Sequence, residues 1–177
     1  IMSGMESIVV AGGIEHISAV PMFADKGAWF TDPKVMTKTR FMHMGLAADL
    51  IACQNGYNRS ELDDLAIQSH ERALSAQNNG YFDASLIPVI DEKNENRLNQ
   101  DNAPRENLTS EKLQQLPASF SDFVPLGQKV VDQVYDDQIT ALHSPGNSPA
   151  LVDGASLVLL GNEDSLNEFG LKPRAKV

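Results

Sequence analysis

Two aliphatic runs of strand length, one near each end of the chain, constrain the fold most. The first lies in SIVVAGG (7–13), where Ile8, Val9 and Val10 form a continuous β-branched stretch halted by a glycine pair. The second is SLVLLG (156–161). A continuous apolar run without alternation reads as a strand buried on both faces, as in a parallel or mixed sheet under helices. A strand so near the start, with little lead-in, is expected to begin in mid-fold. Between the two runs the chain is more polar and mostly helical in pattern, which predicts an insertion carried on a layered α/β core.

The intervening stretch divides into distinct pieces. Residues 15–40 hold no sustained period; Pro21, Gly27 and Pro33 punctuate them, and Phe23, Trp29 and Phe30 supply anchors. That reads as a long ordered connection, which is uncommon unless functional. In FMHMGLAADLIACQNGY (41–57), Leu46, Ala47, Leu50, Ile51 and Cys53 recur at helical spacing from about Gly45 until the NG pair. The clearest helix is 58–82, where Asn58 and Glu61 have capping-box spacing and NNG closes the run. LIPVID (86–91) reads as a short strand, 92–107 as a polar excursion, and TSEKLQQLPASF (109–120) as a short helix stopped by Pro117. VVDQVYDD (130–137) fits either state, and a short helix is expected around 163–170.

Charge and cysteine content exclude several functions. A formal net charge of −10 is unsuited to nucleic acid or to an anionic membrane surface. The single cysteine cannot form an internal disulfide, which favours a reduced, cytoplasmic setting. No apolar run is long enough to span a bilayer, and the N-terminus lacks the basic and apolar regions of a signal peptide. The sequons NRS (58–60) and NLT (107–109) are accordingly read as chance matches.

No general catalytic motif stands out. The AGG turn lacks the spacing of a dinucleotide loop, no Cys/His spacing suits a metal, and no G-x-S-x-G is present. Cys53 shares the apolar face of Leu46 and Leu50, so it reads as a packed thiol rather than a nucleophile. A Cys53 hydrolase using His43 or His143 ranks far below the other readings. His43 precedes a helix and suits a carbonyl or anion at its N-terminus; the alternative is a half-exposed loop histidine. His143, Gly146, Asn147 and Ser148 lie in the turn-rich loop before the last strand, where they are either ligand contacts or the self-satisfied groups of a wide turn. His16 and His70 have weaker cases, with His70 expected to be solvated. The pairs Asp63/Asp64 and Asp136/Asp137 read as capping and surface charge. Met42 and Met44 suit an adaptable acyl pocket, or ordinary core filling.

Six segments in order resemble the thiolase family. VVAGGIEHISAVPM (9–22) is similar to V-A-G-G-x-E-x-M-S-x-x-P, and HMGLAADLIA (43–52) to H-M-G-x-T-A-E-N, with Ala47 for Thr and Asp49 for the usual Glu. Arg59, Asp63, Ala66, Ser69 and Ala73 fit R-x-x-x-D-x-x-A-x-x-S-x-x-x-A. NNGYFDASLIPV (78–89) resembles N-G-x-F-x-x-E-I-x-P-V, with Ser85 in place of the acid. GNSPALVDGASLVLLG (146–161) resembles G-N-[AS]-S-G-I-x-D-G-A-A-x-x-L-L, and FGLKPRAKV (169–177) resembles G-L-x-P-x-A-x-[IV]. GAWFTDP (27–33) and AADLIA (47–52) are similar to an acyl-CoA acetyltransferase branch.

This resemblance implies an α/β fold: a partial thiolase-like layered α/β/α core with an inserted, mostly helical loop domain. Residues 1–13 would begin the N-terminal core and 14–142 would form the loop domain that covers coenzyme A. Residues 143–177 would return to the core. The implied function is part of an acyl-CoA thiolase of fatty acid metabolism, transferring an acyl group between a 3-ketoacyl-CoA and coenzyme A. The family's nucleophilic cysteine, N-E-A-F segment, G-H-P histidine and C-x-G cysteine have no counterpart here. The stretch alone is therefore expected to lack catalytic residues and activity. The implied substrate contacts are His43, Met44, His143, Gly146, Asn147 and Ser148, with coenzyme A and acyl-CoA as substrates and no permanent cofactor. The family's coenzyme-touching serine falls on Pro149, and its L-R-P-A-F arginine falls on Pro117. Those two replacements favour, as the alternative, a non-catalytic coenzyme A-binding or scaffold module derived from a thiolase. A homo-oligomer is implied for the intact protein.

Overall fold

Residues 1–91 and 97–177 are described in the computed structural model, and they form two compact units. One unit comprises residues 1–24 and 151–177, the other residues 25–150.

The first unit is built on the two aliphatic runs. Strands β1 (Ile8–Glu15) and β4 (Gly154–Gly161) pair antiparallel, in register from Ile8 opposite Gly161 to Glu15 opposite Gly154. Ser18 closes the far end of the ribbon by donating its backbone N–H (2.9 Å) and its hydroxyl (2.5 Å) to Asp153. The short helix α7 (Glu163–Glu168) follows, capped by the side chain of Asn162. The expected burial on both faces is not observed: Val10 is 64% exposed and Leu157 73%. A two-stranded ribbon cannot cover its own faces; that takes further strands or a helical layer.

In the second unit, local sequence signals set the helices. Pro33 starts a helix rather than interrupting a loop: Asp32 caps α2 (Pro33–Thr39) by accepting from Lys34 N, and Pro33 occupies the first turn, where it costs no hydrogen bond. A four-residue helix, α1 (Ala28–Thr31), precedes it. The segment expected to be a long ordered connection is thus partly helical. Helix α3 (Met44–Gln54) follows, and then α4 (Arg59–Asn78), whose capping box between Asn58 and Glu61 is present as expected.

Strand β2 (Val89–Ile90), inside the stretch expected to be a short strand, pairs antiparallel with β3 (Arg97–Leu98), which lies in the stretch expected to be a polar excursion; residues 92–96 of the latter lie outside those described. Helix α5 (Ser110–Gln114) is capped by Thr109; α6 (Val124–Val131) enters only the first two residues of the stretch that fitted either state, whose remainder, 132–137, is turn and irregular chain.

The core of this unit joins α3 to α6 and the segment after it. Leu46, Leu50, Val131 and Ile139 are buried together, with Met42, Phe120 and Val124 packed against them. Each such side chain contributes roughly 1.5–3 kcal/mol when fully buried. Gln128 on α6 fixes the chain that returns from the helix, accepting from Ile139 N at 2.9 Å and donating to Asp137 O at 2.8 Å.

Candidate functional site

His43 is the N-cap of α3. Its Nδ1 accepts the backbone N–H of Gly45 at 3.2 Å, which requires the proton of the neutral ring to sit on Nε2. The ring lies among aromatic side chains, 4.8 Å from Phe120 and 6.0 Å from Phe123 between centroids. Burial there pushes its pKa below the ordinary imidazole value. Gly45 is required in the first turn of α3, because a Cβ at that position would lie 2.0–2.4 Å from ring carbons of Phe120. Met44, by contrast, is 82% exposed, while Met42 belongs to the core.

The loop 142–148 is held by two buried carboxylates. Asp49, in the middle of α3, is fully buried. Its Oδ1 accepts from Leu142 N at 3.0 Å, from His143 N at 2.9 Å and from His143 Nδ1 at 2.6 Å, while its Oδ2 has no hydrogen-bond partner among the described residues. Asp63 on α4 is also fully buried, not a surface charge as its sequence context implied. Both its oxygens face Arg59 Nε at 2.9 Å, and Oδ1 also accepts from Asn147 Nδ2 at 2.8 Å. The Arg59 guanidinium goes on to donate to the carbonyls of Leu113 and Leu116 and to the hydroxyl of Ser144. An arginine and an aspartate four residues apart are neighbours on a helix, so that pair is local, while the other contacts of the network are long-range.

Asn147 is used at both ends, its Oδ1 accepting Ser144 N at 2.8 Å. Gly146 is buried; a Cβ on it would lie 2.4 Å from a methyl of Leu113 and 2.6 Å from one of Leu116. Its lack of a side chain therefore serves packing on α5. Ser148 is half-buried and makes no hydrogen bond to a described residue.

Of the six expected contact residues, His43 and His143 are linked only indirectly, through a neighbouring segment. Adjacent residues join them: Ser119 N donates to the carbonyl of His143 at 2.8 Å, and the Phe120 ring lies against His43. Sequence reasoning missed Asp49 and Asp63. The available signals were an acid on the otherwise apolar face of Leu46 and Leu50, and the four-residue spacing to Arg59.

Cys53 accepts from Thr140 N at 3.3 Å and lies 3.7 Å from its carbonyl, the setting of a structural thiol. His70 is half-buried, not solvated; its Nδ1 accepts from Arg105 N at 3.1 Å. Among the described residues no cluster of His, Cys, Asp or Glu could hold a metal, and no helix is long and apolar enough to cross a membrane.

Residues 1–125 match the family described as thiolase, N-terminal domain. A probable acetyl-CoA acyltransferase of Staphylococcus aureus (strain COL) is 30% identical over 190 residues, covering 99% of this chain and 44% of that protein. The solved acetyl-CoA acetyltransferase of Syntrophomonas wolfei shares the fold, with a TM-score of 0.71 at 24% identity over 98% of this chain and 43% of the other. That of Bacillus anthracis gives a TM-score of 0.67 at 28% identity, over 96% and 42%. The chain thus spans less than half the length of these relatives. The expected fold class, a partial α/β core of this kind, is the one these likenesses show.

Proposed function

Because the chain belongs to the thiolase family, we propose that it is the part of an acyl-CoA thiolase that covers coenzyme A and forms one wall of the acyl pocket. Residues 14–142 act as the coenzyme-covering domain, between core segments 1–13 and 143–177. The observation that carries this reading is the dependence of two remote segments on one helix. His43 caps α3, and Asp49 in the middle of α3 holds His143 at the head of the loop 143–148. A long, flexible substrate is recognised best by groups fixed before it arrives, because ordering them then costs no affinity.

In the full-length protein a cysteine thiolate attacks the 3-keto carbon of a 3-ketoacyl-CoA. A carbon–sulfur bond forms and the C2–C3 bond breaks, acetyl-CoA leaving as its enolate to be protonated. Coenzyme A thiolate then takes the acyl group and frees the cysteine, with oxyanion donors stabilising both tetrahedral intermediates. Cys53 is not that nucleophile, being tied to Thr140 on the backbone. The nucleophile, base and acid belong to other residues of the full-length protein. A cytoplasmic homo-oligomer without nucleic acid or membrane partners completes the reading. The exposed faces of the β1–β4 ribbon are where the remaining core layers pack.

The test is thiolysis by the full-length protein, with acetyl-CoA release from acetoacetyl-CoA and coenzyme A followed chromatographically. Release is expected. Tight coenzyme A binding without turnover supports the non-catalytic module instead, and absence of both removes the reading.

A further inference from the structure

The loop 143–148 was expected to touch substrate with its side chains, yet most of them are already engaged within the protein. His143 is turned to Asp49, Gly146 is spent on packing, and both ends of the Asn147 amide are committed to Asp63 and to Ser144 N. We infer that Asp63 is a positioning residue for the coenzyme: through Asn147 it fixes the backbone of this loop, and that backbone, with Ser148, meets the pantetheine arm. The inference rests on the coenzyme reading above.

Three observations carry it. Asp63 is fully buried and its charge is met by Arg59, so the carboxylate is a fixed anchor rather than a solvated surface group. Arg59 itself is committed to two carbonyls of the α5 segment and to the fully buried Ser144 hydroxyl, so the anchor is braced from α4, α5 and the loop together. Ser144 Oγ in turn accepts the N–H of Gly146 at 3.2 Å. The chain of contacts from Asp63 therefore reaches both sides of the turn. A charge-assisted hydrogen bond such as Asn147 to Asp63 is stronger than a neutral one and sets geometry as well as energy.

The experiment uses the full-length protein and its Asn147→Ala variant, which leaves the Asp63–Arg59 pair intact. Calorimetry measures binding of coenzyme A and of adenosine 3′,5′-bisphosphate, which carries the nucleotide end without the pantetheine arm. Losing one hydrogen bond to a charged group is expected to weaken coenzyme A by about tenfold. The bisphosphate is expected to be unaffected, and amide exchange at Gly146 to quicken.

Equal weakening of both ligands overturns the inference, since that is what general loss of structure does. Unchanged coenzyme A affinity overturns it too. If the parent protein binds neither ligand, the coenzyme reading has failed and the inference falls with it. If the parent binds and only the variant result fails, the inference alone is lost. Asp63→Asn provides the second measurement. Because Asp63 acts through Asn147, the double variant is expected to bind coenzyme A no more weakly than Asn147→Ala, and additive losses count against the inference.

Discussion

Asp49 Oδ1 and His143 Nδ1 lie 2.6 Å apart, joining the middle of α3 to a loop 94 residues further along the chain. The same oxygen takes two backbone N–H groups, so one buried carboxylate organises the whole entry to the loop. Because an ionised carboxylate only accepts, Nδ1 of His143 carries a proton, and the neutral ring presents Nε2 as its acceptor.

Removing that carboxylate is expected to be costly. Asp49→Ala leaves three donors without their acceptor, at about 1–3 kcal/mol for each one that stays buried. Relaxation and water entry recover part of this, so the expected loss is about 3 kcal/mol. Asp49→Asn, which keeps an acceptor oxygen, is expected to lose about half as much. Urea midpoints of the three proteins check both numbers. Equal stability of parent and Asp49→Ala would show that the anchor contributes nothing.

Gly45 sets a second expectation in which two effects oppose. Alanine is the better helix former by about 1 kcal/mol. Its Cβ, however, would enter the ring of Phe120, and overpacking of this kind costs about 1–3 kcal/mol. The clash should win, lowering the melting temperature of Gly45→Ala, with Phe120→Leu in the same molecule recovering part of the loss. Absence of recovery would place the strain elsewhere.

His43 makes stability depend on pH with a definite sign. Burial lowers its pKa in the folded state, so the folded chain binds fewer protons than the unfolded one and stability rises with pH. The loss therefore begins as pH falls through the unfolded value near 6.5 and ends below the lowered folded value. Protonation also removes the Nδ1 lone pair that caps Gly45, which acts in the same direction. Asparagine caps a helix without titrating in this range, so His43→Asn should flatten the slope. Denaturant midpoints at several pH values on either side of about 6.5 measure it. A slope that survives the substitution assigns the effect to other groups.

These residues also mark what the sequence made legible. The capping box of Asn58 and Glu61 and the extent of α4 were readable because their partners lie within one turn. Asp63 was misread as surface charge because Asn147, one of its partners, is 84 residues away. Pro33 was read as a break, although after a capping aspartate it equally marks a helix start. The aliphatic runs did pair as strands, but their burial depends on layers that the ribbon does not itself contain. The segments His43–Met44 and 143–148 were singled out by their loop chemistry and by family resemblance, whereas the tie of both histidines to α3 became visible only in three dimensions.

Ser148 gives the most direct test of the loop. Its hydroxyl makes no hydrogen bond to a described residue and it is half-buried, so truncation disturbs no internal network there. Ser148→Ala is expected to leave the urea midpoint unchanged and to weaken coenzyme A by about fivefold, the worth of one ordinary hydrogen bond. Asn147→Ala should change both quantities, because it severs the tie to Asp63. The contrast matters more than either value. A serine that binds and an asparagine that positions predict different pairs of results, and calorimetry with denaturation on the same two samples reads both. If Ser148→Ala binds coenzyme A as the parent does, the loop meets its ligand through backbone alone.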